Sequence, residues 1–187
     1  RAGFTLIELM IIVVIVGITA ALAGPGIAGW MERSRAQQGF YDVLRAARNA
    51  RSAPIAEGRA YRLRVVGSGT RMRAEVWRGT SNLCGTNPWT AIMAANYASS
   101  FNYVDMVDMN DYSPSSHAQV DIVIPSGEYT DVCWQPDGRM LVSAGAGWID
   151  PPNGAARLQI ERRSGGSPIG PMREIVLPAF GAPREWR

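Results

Sequence analysis

From Phe4 to Ala23 the chain runs for about twenty residues with a single charge, Glu8. Such a run is long enough to cross a bilayer as one helix, and it limits what the remainder can be. A carboxylate near its start is costly in lipid, about 2.5–3.5 kcal/mol at the bilayer centre and less toward the ends, so an acid kept there needs a partner. The plain reading is an N-terminal anchor or uncleaved signal that tolerates one Glu. No small-residue secretory cleavage site is visible. Arg1-Ala2-Gly3 reads as the tail of a short basic leader whose beginning, with the initiator Met, is missing. Basic residues before the helix hold that end in the cytoplasm, which places the C-terminal part on the far side of the membrane.

After Ala23 come Gly24-Pro25-Gly26 and Gly29. Each Gly costs a helix about 1 kcal/mol and an interior Pro about 3, so a kink or local melting is expected there. From Ile27 to about Ser52 the helical pattern resumes and becomes amphipathic. Phe40, Val43, Leu44, Ala47 and Ala50 share one face, with Gln38, Asp42, Arg45 and Asn49 opposite, and the apolar stripe is the seat for a sheet. Pro54 is expected to end the helix, with Gly58 opening a turn. Alternation then predicts strands at 61–66 and 71–77, joined as a hairpin through Gly67-Ser68-Gly69. Further strands are predicted at 118–124, 129–134, 139–142, 156–161 and 173–177, with a turn at Gln135-Pro136-Asp137-Gly138. Residues 78–117 read as one long irregular stretch with a short helix at Thr90–Tyr97, unusual unless functional or disordered.

At 187 residues there is room for one membrane helix and one soluble domain of about 150 residues. The net charge of +3 gives no strong pointer to nucleic acid. All 19 basic residues are Arg, which reads as composition bias, although Arg favours bidentate contacts to carboxylate and phosphate. Cys84 and Cys133 lie beyond the helix, where an oxidising compartment would pair them; two buried free thiols are the alternative. Closing a loop of about fifty residues would contribute up to about 4 kcal/mol on the chain-entropy account. Asp105, Asp108, Asn110 and Asp111 offer oxygens that calcium accepts. Their spacing fits no EF-hand, so Asp105, Asp108 and Asp111 are weak metal candidates and a solvated loop is preferred. His117, the single histidine, stands beside Ser113, Ser115 and Ser116 without the converging base and acid that catalysis needs. No enzyme and no cofactor are expected.

The string Gly3-Phe4-Thr5-Leu6-Ile7-Glu8-Leu9, ahead of an unbroken apolar helix, resembles the N-terminus of the type IV pilin superfamily. The resemblance implies that a prepilin peptidase cuts between Gly3 and Phe4, that the new Phe4 amine is methylated, and that Glu8 neutralises the amine of a neighbouring subunit. Pilins also carry a Pro at the position of Pro25, and residues Gly17 to Pro25 resemble the part that unwinds in filaments. Farther on, Val132-Cys133-Trp134-Gln135-Pro136-Asp137-Gly138-Arg139, then Arg173-Glu174-Ile175-Val176-Leu177 and Gly181, resemble the GspH/FimT-type branch of minor pilins and pseudopilins. The helix end at Leu44–Ser52 followed by Gly58 fits that branch as well, whereas residues 78–117 have no counterpart in it.

The implied fold is α+β, a long N-terminal helix packed on a mostly antiparallel β-sheet head. Residues 1–3 would be a leader remnant, 4–26 a transmembrane and filament-core helix, and 27–187 the globular head. The implied function is a minor pilin that primes filament assembly at or near the tip. Alternatives are a minor pseudopilin of type II secretion or a DNA-binding tip subunit for DNA uptake. Implied partners are other minor and major pilins, the prepilin peptidase and an inner-membrane assembly platform, with the head in the periplasm. DNA is not favoured. The branch's DNA-binding members carry Gly-Arg-x-Arg near the C-terminus, where this chain has Gly181-Ala182-Pro183-Arg184 and then Arg187. A basic patch would require Arg157, Arg162, Arg163 and Arg173 to converge.

Overall fold

The computed structural model describes residues 5–67, 72–94, 102–113, 119–125, 129–143, 145 and 147–186, without the side chains of 22–28, 91, 93 and 94. One helix, α1 (Leu6–Glu57), opens the chain. It runs uninterrupted through residues 24–26, where a kink or melting is expected from the sequence. A Pro removes a single backbone donor, and helix formation on both sides is cooperative enough to carry that cost. The helix likewise continues past Pro54 to Glu57. It stops where Gly58 adopts φ +65° and donates its N–H to the Pro54 carbonyl at 2.9 Å. Only Gly enters this left-handed conformation freely, and it ends helices for that reason.

The chain forms two compact units, residues 1–35 and 36–187. In the second, ten strands follow among the described residues: β1 (Tyr61–Val66), β2 (Arg73–Arg78), β3 (Tyr103–Asp108), β4 (Gln119–Val123), β5 (Asp131–Trp134), β6 (Met140–Ser143), β7 (Ala155–Ser164), β8 (Ser167–Pro168), β9 (Arg173–Pro178) and β10 (Arg184–Trp186). A short helix, α2 (Trp89–Ala94), lies between β2 and β3, and a 3-10 turn, Met109–Tyr112, follows β3. The strands make two sheets, ordered β3-β2-β1-β5-β6 and β10-β9-β7-β4, with β8 paired to β7. Every pairing between these strands is antiparallel. This is an α+β fold, a helix packed on antiparallel sheets.

Phe40, Val43, Leu44, Ala46, Ala47 and Ala50 of α1 are buried in one core with residues of both sheets. Leu63, Val76, Val132 and Met140 come from the first sheet, and Ile122, Leu158, Ile175 and Leu177 from the second. Burying each large side chain contributes about 1.5–3 kcal/mol. Alternation along β5 sends Val132 and Trp134 into this core and Cys133 to the opposite face, as a period of two requires. There Cys133 packs with Trp77, Cys84, Trp89, Ile92 and Leu141 in a second buried cluster. The first sheet is therefore covered on both faces.

The stretch expected to be irregular from 78 to 117 contains α2, β3 and the 3-10 turn. In β3 the large side chains Val104 and Met106 are exposed while Val107 is buried. Its exposed positions carry apolar Val104 and Met106, so the polar-out alternation of a half-buried strand is missing from the residues. The register between β2 and β3 also shifts at Val76/Trp77. Helix α2 is described as far as Ala94, and the remainder of the expected helix, residues 95–97, lies outside the described residues.

On the outer face of the second sheet, Asp121 of β4 stands directly opposite Glu161 of β7, and both are buried. Arg163 bonds Glu161 through its Nε, which lies 3.8 Å from Asp121 Oδ2. Asp121 Oδ1 is buried with no hydrogen-bond partner. Burial raises the Asp121 pKa, Arg163 opposes that shift, and Glu161 adds to it. A raised folded-state pKa means the carboxyl adds stability when protonated, below its ordinary value of 3.8, and that contribution is lost as pH rises through the folded value. Asp121→Asn should therefore stabilise the head at pH 7, because it removes the charge that burial penalises. The gain should shrink toward pH 4; denaturant titrations at both pH values check this, and a pH-independent or negative change would contradict it.

Candidate functional site: the helix N-terminus

Thr5 immediately precedes α1 and caps it. Its carbonyl accepts the N–H groups of Glu8 at 3.1 Å and Leu9 at 3.3 Å. Its hydroxyl accepts the Glu8 N–H at 3.4 Å and donates to Glu8 Oε2 at 3.5 Å. Thr-x-x-Glu is the pattern of a capping box, in which an N-cap hydroxyl and the N3 carboxylate meet the orphan donors of the first turn. Here the carboxylate meets the hydroxyl. Glu8 is also the acid of the first turn, where the helix dipole favours negative charge. Besides the cost of its charge in lipid, Glu8 thus has a local role, and the three-residue spacing from Thr5 carries that capping signal in the sequence.

Beyond the cap, apolar side chains surround the helix on every side. Leu6, Ile7, Leu9 through Val16 and Ile18 are exposed by between 47% and 79%. Thr19, the hydroxyl in this stretch, donates to the carbonyls of Ile15 at 2.9 Å and Val16 at 3.0 Å, so its donor is satisfied inside its own helix. A sleeve of this kind needs an apolar environment, because a helix hydrophobic all round is normally buried. Among the described residues no helix is long and apolar enough to cross a membrane. The described side chains of the sleeve stop at residue 21.

Gly3 and Phe4 lie outside the described residues, as does the Pro25 side chain. His117, Ser115, Ser116 and Arg187 also lie outside them. Cys84 and Cys133 are joined as a disulfide with Cα atoms 6.1 Å apart. Of the weak metal candidates, Asp105 Oδ1 accepts the Met106 N–H at 2.8 Å and Asp108 Oδ1 accepts the Asn110 N–H at 2.9 Å. Asp108 thereby caps the 3-10 turn that contains Asp111. No group of three metal-ligating side chains occurs among the described residues. Arg157 pairs with Glu174 at 3.3 Å and Arg173 with Glu185 at 3.4 Å. Arg163 engages Glu161. These three guanidinium groups are engaged by carboxylates.

A capped apolar helix leading into an α+β head of antiparallel sheets defines a class of protein whose first segment is built to be covered by lipid or by other helices. Residues 1–24 match the prokaryotic N-terminal methylation motif, the prepilin signal of type IV pilins and pseudopilins. No curated protein and no solved structure matches the chain. The motif implies processing by a prepilin peptidase and assembly into a filament, and it suggests a structural subunit anchored in a membrane before assembly.

Thr5→Ala removes the hydroxyl that meets both the Glu8 N–H and its carboxylate. Loss of an N-cap of this kind costs about 0.5–2 kcal/mol. For the full chain in detergent micelles, amide exchange at residues 6–9 should accelerate about two- to thirtyfold, with residues 40–50 unchanged. Equal exchange at residues 6–9 would remove the capping role.

Proposed function

We propose that the protein is a minor pilin, a subunit that primes assembly of a type IV pilus and sits at or near its tip. The apolar sleeve from Leu6 to Ile18 carries this reading, because nothing else in the chain accounts for so many exposed aliphatic side chains beside a methylation motif. In the membrane the sleeve is covered by acyl chains, and in the filament by the helices of neighbouring subunits. The Gly3–Phe4 bond is the processing site, and methylated Phe4 becomes the new N-terminus. Pro25 belongs to the segment that unwinds as subunits pack. The likeness of residues 132–139 and 173–181 to the GspH/FimT-type branch supports a minor rather than a major subunit. A minor pseudopilin of type II secretion uses the same helix chemistry and differs in the partners it recruits.

Glu8 couples this chemistry to assembly. Its carboxylate is unfavourable alone in lipid, and an ammonium a few ångströms away recovers much of that cost at low dielectric. Phe4 lies four residues earlier, so the subunit's own amine competes with a neighbour's. The Thr5 hydroxyl holds the carboxylate at the helix start. Only the intersubunit pairing makes neutralisation depend on docking.

Mass measurement of the mature chain should show a start at Phe4 with about one added methyl group. A chain retaining Arg1 or cut after Ala23 would exclude this processing. Glu8→Ala should be cleaved and inserted normally yet recover about tenfold less partner pilin in co-purification at matched expression, a loss of about 1.4 kcal/mol. Glu8→Asp should fall between. Equal recovery of partners with Glu8→Ala would leave head contacts as the driver of assembly.

A further inference from the structure

Past the apolar sleeve, α1 carries a group of side chains that neither the sleeve nor the core of the head uses. Between Glu8 and Asp42 the charged residues are Glu32, Arg33 and Arg35. They adjoin Trp30, which is 66% exposed, and Met31, which is 45% exposed. The Arg33 side chain runs back toward the N-terminus, as side chains on a helix do, and its Nε donates to the Gly29 carbonyl at 3.1 Å. The guanidinium group therefore lies at the height of Trp30 on the helix axis, with both Nη groups left to donate elsewhere. Among the described residues no carboxylate pairs with Arg33 or Arg35.

These side chains are spread around the helix. At about 100° per residue, Arg33 stands about 60° to one side of Trp30, with Met31 about 100° and Arg35 about 140° to the other. Together they span about 200° of the circumference. Glu32 stands about 160° from Trp30 and makes a contact of its own. A protein partner covers one side of a helix, as the sheets of the head cover Phe40, Val43 and Ala47. A spread this wide fits surroundings that meet the helix from several sides at one height.

The height itself is informative. At 1.5 Å per residue, Trp30 lies about 36 Å along the axis from Leu6 and about 33 Å from Glu8. The acyl layer of a bilayer is about 30 Å thick, and about 40–45 Å with its headgroups. With Glu8 at one boundary, where its charge costs least, Trp30 and Arg33 reach the headgroups of the opposite leaflet. Indoles favour that zone, because the ring is apolar and its N–H meets water. Guanidinium groups take phosphate oxygens in pairs of hydrogen bonds, and every phospholipid offers a phosphate at that depth.

We propose that Trp30, Arg33 and Arg35 form a collar that binds phospholipid headgroups in the leaflet opposite Glu8, with the indole among the glycerol esters and the guanidinium groups on phosphates. The proposal rests on the membrane stage of the function given above. The collar sets how deep the helix stands before assembly, and so keeps Glu8 at the far boundary of the acyl layer.

The test uses the full chain in vesicles of phosphatidylcholine and phosphatidylglycerol, with an isotopic label on the arginine guanidinium carbons. The chain should float with the vesicles. Solid-state magnetic resonance should show dephasing of the arginine Cζ signal by lipid phosphorus, and the double variant Arg33→Gln, Arg35→Gln should lose it. Lipids brominated beside the glycerol ester should quench a component of the tryptophan emission that Trp30→Phe lacks. Lipids brominated at the ends of the acyl chains should quench that component less. Far-ultraviolet circular dichroism and an intact Cys84–Cys133 bond identify variants that have kept their fold. Three results would overturn the collar while leaving the membrane stage in place: flotation without phosphorus dephasing, dephasing unchanged in the folded double variant, or ester-level quenching unchanged in Trp30→Phe. Failure of the unaltered chain to float would overturn both.

Discussion

One helix meets two incompatible demands, and the protein is organised by how it does so. Its first part presents aliphatic side chains in every direction, a surface that water does not stabilise. Its later part narrows the apolar surface to one face, from Phe40 to Ala50, which is consumed by the head's own core. The hydrophobic effect thus assigns the first part to lipid or to other helices and the second to this chain's sheets. Gly58 and its left-handed backbone end the helix and release the chain into β1.

The cap at Thr5 and Glu8 gives the carboxylate two physical roles at the same place. It meets the Thr5 hydroxyl within the chain, and its charge makes an apolar environment unfavourable until a cation arrives. The first role is weak, because the contact is long and exposed. In the proposed pilin a partner's ammonium would replace it with little loss.

Electrostatics in the head follows another logic. Arg157, Arg163 and Arg173 are drawn to carboxylates across or beside their strands, which uses up positive charge that would otherwise face a polyanion. Arg62 is instead withdrawn from solvent beneath two indoles and paired to Asp131. Its role there is to support Trp89 and Trp148, and the disulfide fixes the loop that carries one of them. Breaking such a pair from one side would leave an uncompensated buried charge, so the two indoles and the sheet beneath them depend on each other.

Much of the fold was legible in the residues because it is written in local periods. The 3.6-residue stripe of Phe40, Val43, Leu44, Ala47 and Ala50 and the two-residue alternation of β1, β5 and β7 state which side chains face inward before any partner is known. The methylation string and the acid at position 8 are equally local. Other features required the assembled head. The edge strand β3 has no clean polar–apolar alternation, since Val104 and Met106 fill its exposed positions. Whether Arg163 meets Asp121 and Glu161 or a phosphate depends on the β4–β7 register, which one strand cannot specify. The outer face of the first sheet joins Arg62, Trp89 and Trp148, residues distant in sequence. The β1–β5 pairing and the Cys84–Cys133 bond bring them together, because long-range contacts are set by topology and not by local pattern.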